Sequence, residues 1–449
     1  MNTPIVDFVQ RYAASGTARL HMPGHKGVPF LGCEPFDITE IAGADDLLRA
    51  EGIIAESEQN AAALFGTGAT FYSVEGATLP IKAMLALAAQ NAASNDKQPR
   101  ILATRNAHKS FLYGCALLDL DVDWLYGEWN EHLCTCSVTA DTLARALAAD
   151  ASYCAVFVTS PDYLGNLLDI EALSRVSRAH GIPLLVDNAH GAYLAFASPS
   201  RHPIALGATM CADSAHKTLP ALTGTAYLHL AKDAPSAFYN GARAAMALFA
   251  SSSPSYLLLQ SLDLCNRYLA ETLSSALDET ASRIRTVKDR LASVGYRILG
   301  NEPLKITVDG RGRGYDGDAL AKALREGRVE PEFSDRDCVV LMCTPQTTVE
   351  ELARIETVLA SLPVREPSQD TYTAVTRNAP RALSIRAAML SPFETVSASE
   401  AEGRICAVPT VSCPPAIPIV ISGEIITKTA IRLFAHYGID RIAVVKENR

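Results

Sequence analysis

Residues 182–191 read IPLLVDNAHG, and residues 211–224 read CADSAHKTLPALTG. The first is an apolar run of strand length that closes on a carboxylate, Asp187. A buried strand of this kind belongs to a mostly parallel sheet covered by helices, and such sheets bind ligands beyond the carboxyl ends of their strands. The second segment packs small residues around Lys217, thirty positions after Asp187, a spacing suited to the ends of nearby strands. A single lysine is ordinarily a solvated surface charge. The strand-end carboxylate upstream is what singles this one out.

Working outward, the same alternation of short apolar runs and amphipathic stretches extends over residues 55–230. ILAT (101–104) and CAVFVT (154–159) have strand length, whereas 78–90, 139–149 and 170–180 have the length and spacing of helices. Ile5, Phe8, Val9 and Tyr12 predict a helix at the N-terminus, followed by a long ordered loop over 15–52 of the sort that more often carries function than not. Residues 255–293, rich in Leu, Ala and charges and free of proline after Pro254, predict a long helical connection. A smaller α/β unit is expected from about 295, with YRILG, a turn-rich DGRGRGYDG, a helix near 317–327 and the apolar CVVLMC at 338–343. The chain then runs through a proline-punctuated strand region, 405–424, a short helix and IAVV. The division expected is 1–54, an N-terminal helix and active-site loop, 55–294, a large cofactor-binding domain, and 295–449, a small C-terminal domain.

Composition narrows the function. Of 449 residues, 48% are hydrophobic and 20% charged, an ordinary globular mix, and 40 Lys and Arg against 49 Asp and Glu leave a net charge of −9 that disfavours a phosphate backbone as partner. No apolar run approaches the roughly 18 residues that span a bilayer, and MNTPIVDFVQRYAASG lacks the parts of a signal peptide, so no membrane partner and a cytoplasmic location are expected. The 11 cysteines, from Cys33 to Cys413, are odd in number and read as reduced thiols. His132, Cys134 and Cys136 form the tightest group, but it lacks a second matching pair and reads as a surface connection, so no metal is expected.

A strand-end carboxylate and a lysine in a small-residue turn are together what pyridoxal 5'-phosphate needs. The lysine condenses with the cofactor aldehyde, and the carboxylate keeps the pyridine nitrogen protonated, so the ring can take electrons from a substrate carbanion. The phosphate wants backbone N–H groups at a helix start with hydroxyls nearby. SVEGATLPIKAML offers them at Gly76, Ala77 and Thr78, although many helices begin this way for capping alone.

The run RLHMPGHKG (19–27), DITEIAGADDLLRAEGII (37–54), RNAHKSFLYG (105–114), TSPDYLGNLLDI (159–170), VDNAHGAYL (186–194), SAHKTLPALTG (214–224), SSSPSY (251–256) and CPPAIPIVISGE (413–424) resemble, in order, the bacterial-type ornithine/lysine/arginine decarboxylases. The resemblance covers nearly the whole chain. It implies a fold type I, aspartate-aminotransferase-like α/β large domain with a mostly parallel sheet, plus a smaller C-terminal α/β domain. It implies a decarboxylase of a basic amino acid that yields an amine and carbon dioxide through a Lys217 aldimine and serves polyamine biosynthesis. It further implies Asp187 on the pyridine nitrogen, His108 stacked on the ring, His190 beside Asp187, and Ala77, Thr78, Ser214 and His216 around the phosphate. Ser252 would reach the phosphate of a neighbouring subunit in a homodimer or higher homo-oligomer, and Glu424 would bind the distal positive charge of the substrate.

The chain departs from the family pattern at Gly224, where many members carry glutamine, and at Cys413 and Ala416 in place of tyrosine and glycine. It opens directly on the HMPGHKG region and so resembles the short form, without a separate receiver-like domain. Lys217 and Asp187 would equally serve an aminotransferase or a carbon–sulfur lyase on the same fold. A catalytically silent assembly subunit is a further alternative, against which the intact lysine and aspartate weigh.

Overall fold

The computed structural model describes residues 1–94, 99–127, 132–150, 152–368, 379–409 and 417–447. Cys413 and Ala416 therefore lie outside the described residues. The described strands are β1 (Ala69–Ser73), β2 (Arg100–Thr104), β3 (Asp121–Leu125), β4 (Ala155–Thr159), β5 (Leu184–Asp187), β6 (Met210–Asp213), β7 (Ala226–Leu230), β8 (Arg297–Leu299), β9 (Lys305–Asp309), β10 (Phe333–Ser334), β11 (Val339–Met342), β12 (Phe393–Ser397) and β13 (Arg441–Val445). The strands and intervening helices form a mixed α/β fold with a large, mostly parallel sheet, as the alternating pattern predicts. The chain divides into two compact units, Met1–Gln98 with Ile170–Ala276, and Pro99–Asp169 with Leu277–Arg449.

In the first unit the strand order is β1-β7-β6-β5. β5 and β6 run parallel with Asp187 opposite Ala212, and β7 lies antiparallel to β6 with Tyr227 opposite Asp213. Every residue of β5, β6 and β7 is buried, which is why their sequences read as apolar runs without alternation. β5 starts at Leu184 because Pro183 has no N–H to donate to a ladder. The helix Thr78–Ser94 leaves the turn after β1 and packs on the helix Ser236–Ala247. The N-terminal helix Pro4–Ala14 forms where predicted, and the carboxylate of Asp263 accepts the N–H groups of Ile5 and Val6 at its start, at 2.9 and 3.0 Å. Within 15–52 only a short turn of 3-10 helix, Glu34–Phe36, is regular. That loop is ordered by Asp45, whose carboxylate accepts N–H groups from Asp46, Glu51, Gly52 and Ile54. The long helix expected over 255–293 is interrupted: Tyr256–Tyr268 is α-helical, Leu269–Leu273 winds as a π-turn, and Ser274–Ser293 resumes the α-helix.

In the second unit the order is β4-β2-β3, all parallel, with a separate antiparallel sheet β10-β11-β9-β8 and the hairpin-like pair β12-β13. The predicted strand region 405–424 does not form a continuous strand among its described residues. It makes isolated bridges from Ile405 to Ile425, from Cys406 to Val444 and from Glu424 to Arg381. Prolines supply no ladder donor, which keeps such a segment from pairing along its length. The segment around His132 is likewise no surface connection, since His132, Cys134 and Cys136 are 3%, 1% and 3% exposed. Among the described residues no helix is long and apolar enough to cross a membrane.

Candidate active site

The site in the first unit is assembled at the ends of two adjacent parallel strands. β5 delivers Asp187 at its last position, buried to 3% exposure. The turn that follows, closed by a hydrogen bond from Gly191 N–H to the Asn188 carbonyl at 2.8 Å, carries the buried His190. β6 ends at Asp213 and runs through Ser214 straight into the four-residue helix Ala215–Thr218. That short helix carries Lys217, half-buried, with its Nζ 3.0 Å from Nε2 of His190. Lysine, histidine and aspartate are thus brought together by the register of β5 on β6.

A second link joins the phosphate-type turn to the segment after Lys217. Gly76 N–H donates to the Gly224 carbonyl at 2.7 Å, just before the helix Thr78–Ser94 begins. Gly76 has φ +65° and Gly224 φ +100°, conformations that favour glycine. Gly224 therefore stands where a side chain would strain the loop. The same loop is tied down by the Thr225 carbonyl, which accepts from Ala215 N–H at 3.1 Å and from His216 Nδ1 at 2.8 Å. Ala77 is buried, Thr78 is half-buried, and Ser214 sits at the N-cap position of the Lys217 helix with its side chain not engaged in capping. Ser252 is exposed on the loop between the helices Ser236–Ala247 and Tyr256–Tyr268.

The electrostatics follow from burial. Burial raises the Asp187 carboxyl, Lys217 and the Ala189 N–H partly offset this, and Asp213 adds to it, so that Asp187 is pushed up to about 6. His216 is lowered, chiefly by burial, against the pull of the Thr225 carbonyl.

His108 and Glu424 lie in the second unit. His108 is the N-cap of the helix Lys109–Leu118, its Nδ1 accepting the Ser110 N–H at 3.1 Å. Glu424 is buried: at 4% exposure it accepts the Ile421 N–H at 2.8 Å and stands 3.5 Å from the Arg105 guanidinium. The following helix, Lys428–His436, is capped by Thr427.

Two groups have the composition of a metal site, His132 with Asp335 and Cys338, and His202 with Cys211 and Asp213. In both, Nδ1 of the histidine accepts a backbone N–H, from Cys134 at 3.0 Å and from Ile204 at 3.3 Å. The remaining proton then sits on Nε2 and points at an aspartate, 3.0 Å away in each case. A ring held in that tautomer offers no lone pair to a cation at the shared point.

The donor set fits pyridoxal phosphate. Among the described residues the buried Asp187 carboxylate takes one hydrogen bond, from the Ala189 N–H at 3.2 Å, which leaves it short of the donors a buried carboxylate requires and able to accept one from a protonated ring nitrogen. Thr218 Oγ1 is also buried without a hydrogen-bond partner. The first-turn N–H groups of the helix Thr78–Ser94 are those an anion uses.

Fold and site together define a pyridoxal-phosphate enzyme of fold type I. Residues 3–307 match the family model described as "Orn/Lys/Arg decarboxylase, major domain", and residues 370–437 match "Orn/Lys/Arg decarboxylase, C-terminal domain". The chain belongs to the Orn/Lys/Arg decarboxylase family, pyridoxal-phosphate-dependent carboxy-lyases. It is 30% identical to the uncharacterized protein YaaO of Bacillus subtilis (strain 168), over 96% of this chain and 93% of that one. It is 28% identical to the arginine decarboxylase of the same strain, over 95% of this chain and 91% of that one. The fold is that of the lysine decarboxylase of Francisella novicida, with a TM-score of 0.82 at 17% identity, covering 99% of this chain and 81% of the other.

Sequence reasoning passes over Asp213, although β6 ends in CAD as β5 ends in LLVD. The repeated strand-end carboxylate is the signal that could have found it.

Proposed function

We propose that this chain decarboxylates a basic amino acid, arginine, lysine or ornithine, releasing the amine and carbon dioxide. The observation that carries the reading is the buried Asp187 on the strand next to the Lys217 helix, with Lys217 Nζ 3.0 Å from His190. Pyridoxal phosphate, when bound, supplies the electron sink that takes up the electrons of the Cα–carboxylate bond. Lys217 links the cofactor and, once released by substrate, is the proton carrier nearest His190. Asp187 holds a proton on the ring nitrogen, and a carboxyl that the fold itself pushes to about 6 is basic enough to keep it shared. Ala77, Thr78, Ser214 and His216 take the phosphate, with Ser252 serving the neighbouring subunit, and His108 covers the ring. Glu424 binds the distal cation of the substrate.

A homodimer or larger homo-oligomer accords with the N-terminal loop, where Leu20, Phe30 and Leu31 are 93%, 81% and 90% exposed, an apolar surface of the kind that partners cover. Residues 1–54, 55–294 and 295–449 are the working division into active-site segment, large domain and small domain. The free thiols of the described cysteines accord with the cytoplasm, and polyamine biosynthesis is the role the amine product would serve there. The test is product analysis of the cofactor-loaded protein with each of the three amino acids, alone and with 2-oxoglutarate. Carbon dioxide and the matching amine in equal amounts support the reading. Glutamate formed in proportion to 2-oxoglutarate, without amine, makes it an aminotransferase.

A further inference from the structure

Asp213, at the end of β6, is completely buried, and four groups surround its carboxylate. His202 Nε2 lies at 3.0 Å and His229 Nε2 at 3.3 Å from Oδ2, while Asn188 Nδ2 at 2.7 Å and Cys211 Sγ at 3.1 Å donate to Oδ1. His202 holds its proton on Nε2 because Nδ1 accepts the Ile204 N–H. His229 has Nδ1 2.8 Å from the Thr70 hydroxyl, and burial lowers its pKa, so it stands neutral. Burial alone would raise Asp213, but His202 and His229 outweigh it and hold the carboxyl far below the usual carboxylate range. The Asp213 carboxyl is therefore held ionised in the protein interior. It is fastened to the site: Asn188, the residue directly after Asp187, gives its side-chain amide to Asp213 and its backbone N–H to the Ala212 carbonyl at 3.0 Å.

We propose that Asp213 is a positioning residue for Asp187: a buried carboxylate on the adjacent strand that fixes the Asp187–Asn188 turn through Asn188 and sets its negative charge behind that turn. The role of Asp187 itself rests on the function proposed above, but the charge effect exists in the cofactor-free protein and is testable there. The groups of the first unit that act on Asp187 are Lys217 from the short helix, which His190 touches at 3.0 Å, the Ala189 N–H from its own turn, and Asp213 from β6. Of these, Lys217 lowers and Asp213 raises the pH at which Asp187 loses its proton.

The experiment uses Asp213→Asn. This variant keeps a hydrogen-bonding group of nearly the same shape, and the buried Asn188 Oδ1, which has no hydrogen-bond partner, can turn to accept the new amide. The Asp187 midpoint is the pH at which the difference in unfolding stability between the chain with Asp187 and its Asp187→Asn counterpart is half developed, measured on cofactor-free protein. In the Asp213→Asn background we expect this midpoint to fall by roughly half a pH unit or more, the effect of removing one charge an adjacent strand away at low dielectric. His202→Gln, whose side-chain amide can still donate to the carboxylate and which keeps the charge of Asp213, should leave the midpoint without that fall. In the loaded enzyme the pH titration of the visible cofactor band should move the same way in Asp213→Asn. An unmoved midpoint with only a lower melting temperature overturns the proposal, as does an equal fall in His202→Gln. Asp213→Ser is the second uncharged variant where Asn fails to fold, and if neither folds, Asp213 is a core residue and the proposal falls. A wild-type protein that shows no visible band with added cofactor refutes the proposed function instead, while the cofactor-free midpoint still decides the role of Asp213.

Discussion

Replacing Asp187 by Asn removes from the interior a carboxylate that the fold holds at a cost. In the folded, cofactor-free chain the group is pushed from 3.8 to about 6, mainly by burial. A raised carboxyl pKa means that between about pH 4 and 6 the native state binds more protons than the unfolded one, so stability falls as pH rises through that window. Below it the penalty is absent, and above pH 6 it is fully present. At about 1.4 kcal/mol per pKa unit the rise corresponds to about 3 kcal/mol, a figure from which the attraction of Lys217 is already subtracted. Asp187→Asn without cofactor is therefore expected to be more stable than wild type by about 3 kcal/mol at pH 8 and by little at pH 4. Urea unfolding across that range, followed by circular dichroism, measures the difference directly. The same substitution should slow turnover of the loaded enzyme about a hundredfold, since a neutral amide cannot hold a proton on the ring nitrogen and about 3 kcal/mol of electrostatic stabilisation is lost. A variant that is less stable than wild type at pH 8, or a stability difference that does not change with pH, would refute the burial argument. Near-normal turnover would refute the functional one.

Lys217→Ala should fold normally and lose the visible cofactor band, and borohydride reduction of wild type followed by peptide mass spectrometry should place the label on Lys217 and nowhere else. Glu424→Gln breaks a buried ion pair but leaves Arg105 its bonds to the Pro418 and Ile419 carbonyls, both at 2.9 Å, so a loss of about 1–3 kcal/mol by denaturation is expected. If Glu424 also binds the substrate cation, KM for the basic amino acid rises with the band retained, whereas a lowered melting temperature with unchanged KM assigns it to structure alone. Gly224→Gln forces a side chain onto φ +100°, a strain of order 1–3 kcal/mol, and places its Cβ 3.2 Å from Leu258 Cδ1. Weaker cofactor binding, read as an increased Kd in fluorescence titration of the cofactor-free protein, is the expected outcome.

How much of this is legible in the sequence depends on how local the cause is. β5 can be read from IPLLVD because full burial demands an unbroken apolar run and Pro183 marks its start. The helix Thr78–Ser94 can be read for the same kind of reason. The region 405–424 misleads because apolar and β-branched residues promise a strand, while strand formation needs a partner edge and a supply of N–H donors that its prolines remove. The burial of His132, Cys134 and Cys136 is equally hidden. It depends on Asp335 and Cys338, two hundred positions away, and on a backbone N–H that sets the imidazole tautomer. The π-turn at Leu269–Leu273 has no evident mark in the sequence, and nothing in the structure explains it.

Asp187 and Asp213 show what the sequence leaves undecided and the structure settles. Both are aspartates at the ends of buried, adjacent, parallel strands, both are within 3% of complete burial, and the sequence treats them alike. Their surroundings differ. Asp213 is ringed by His202, His229, Asn188 and Cys211 and is held ionised, so its hydrogen-bonding capacity is spent on the protein itself. Asp187 takes one hydrogen bond, from Ala189, and is held near 6. A buried carboxylate costs several kcal/mol unless it is satisfied, and of these two neighbours the fold satisfies one and leaves the other able to accept a further donor. The incomplete one is therefore the one to test for cofactor contact, and the complete one for its influence on it. The ordering can be checked by comparing Asp187→Asn with Asp213→Asn: the first should gain stability at pH 8 in the cofactor-free chain, and the second, which strips an ionised group of its satisfied donors, should lose it.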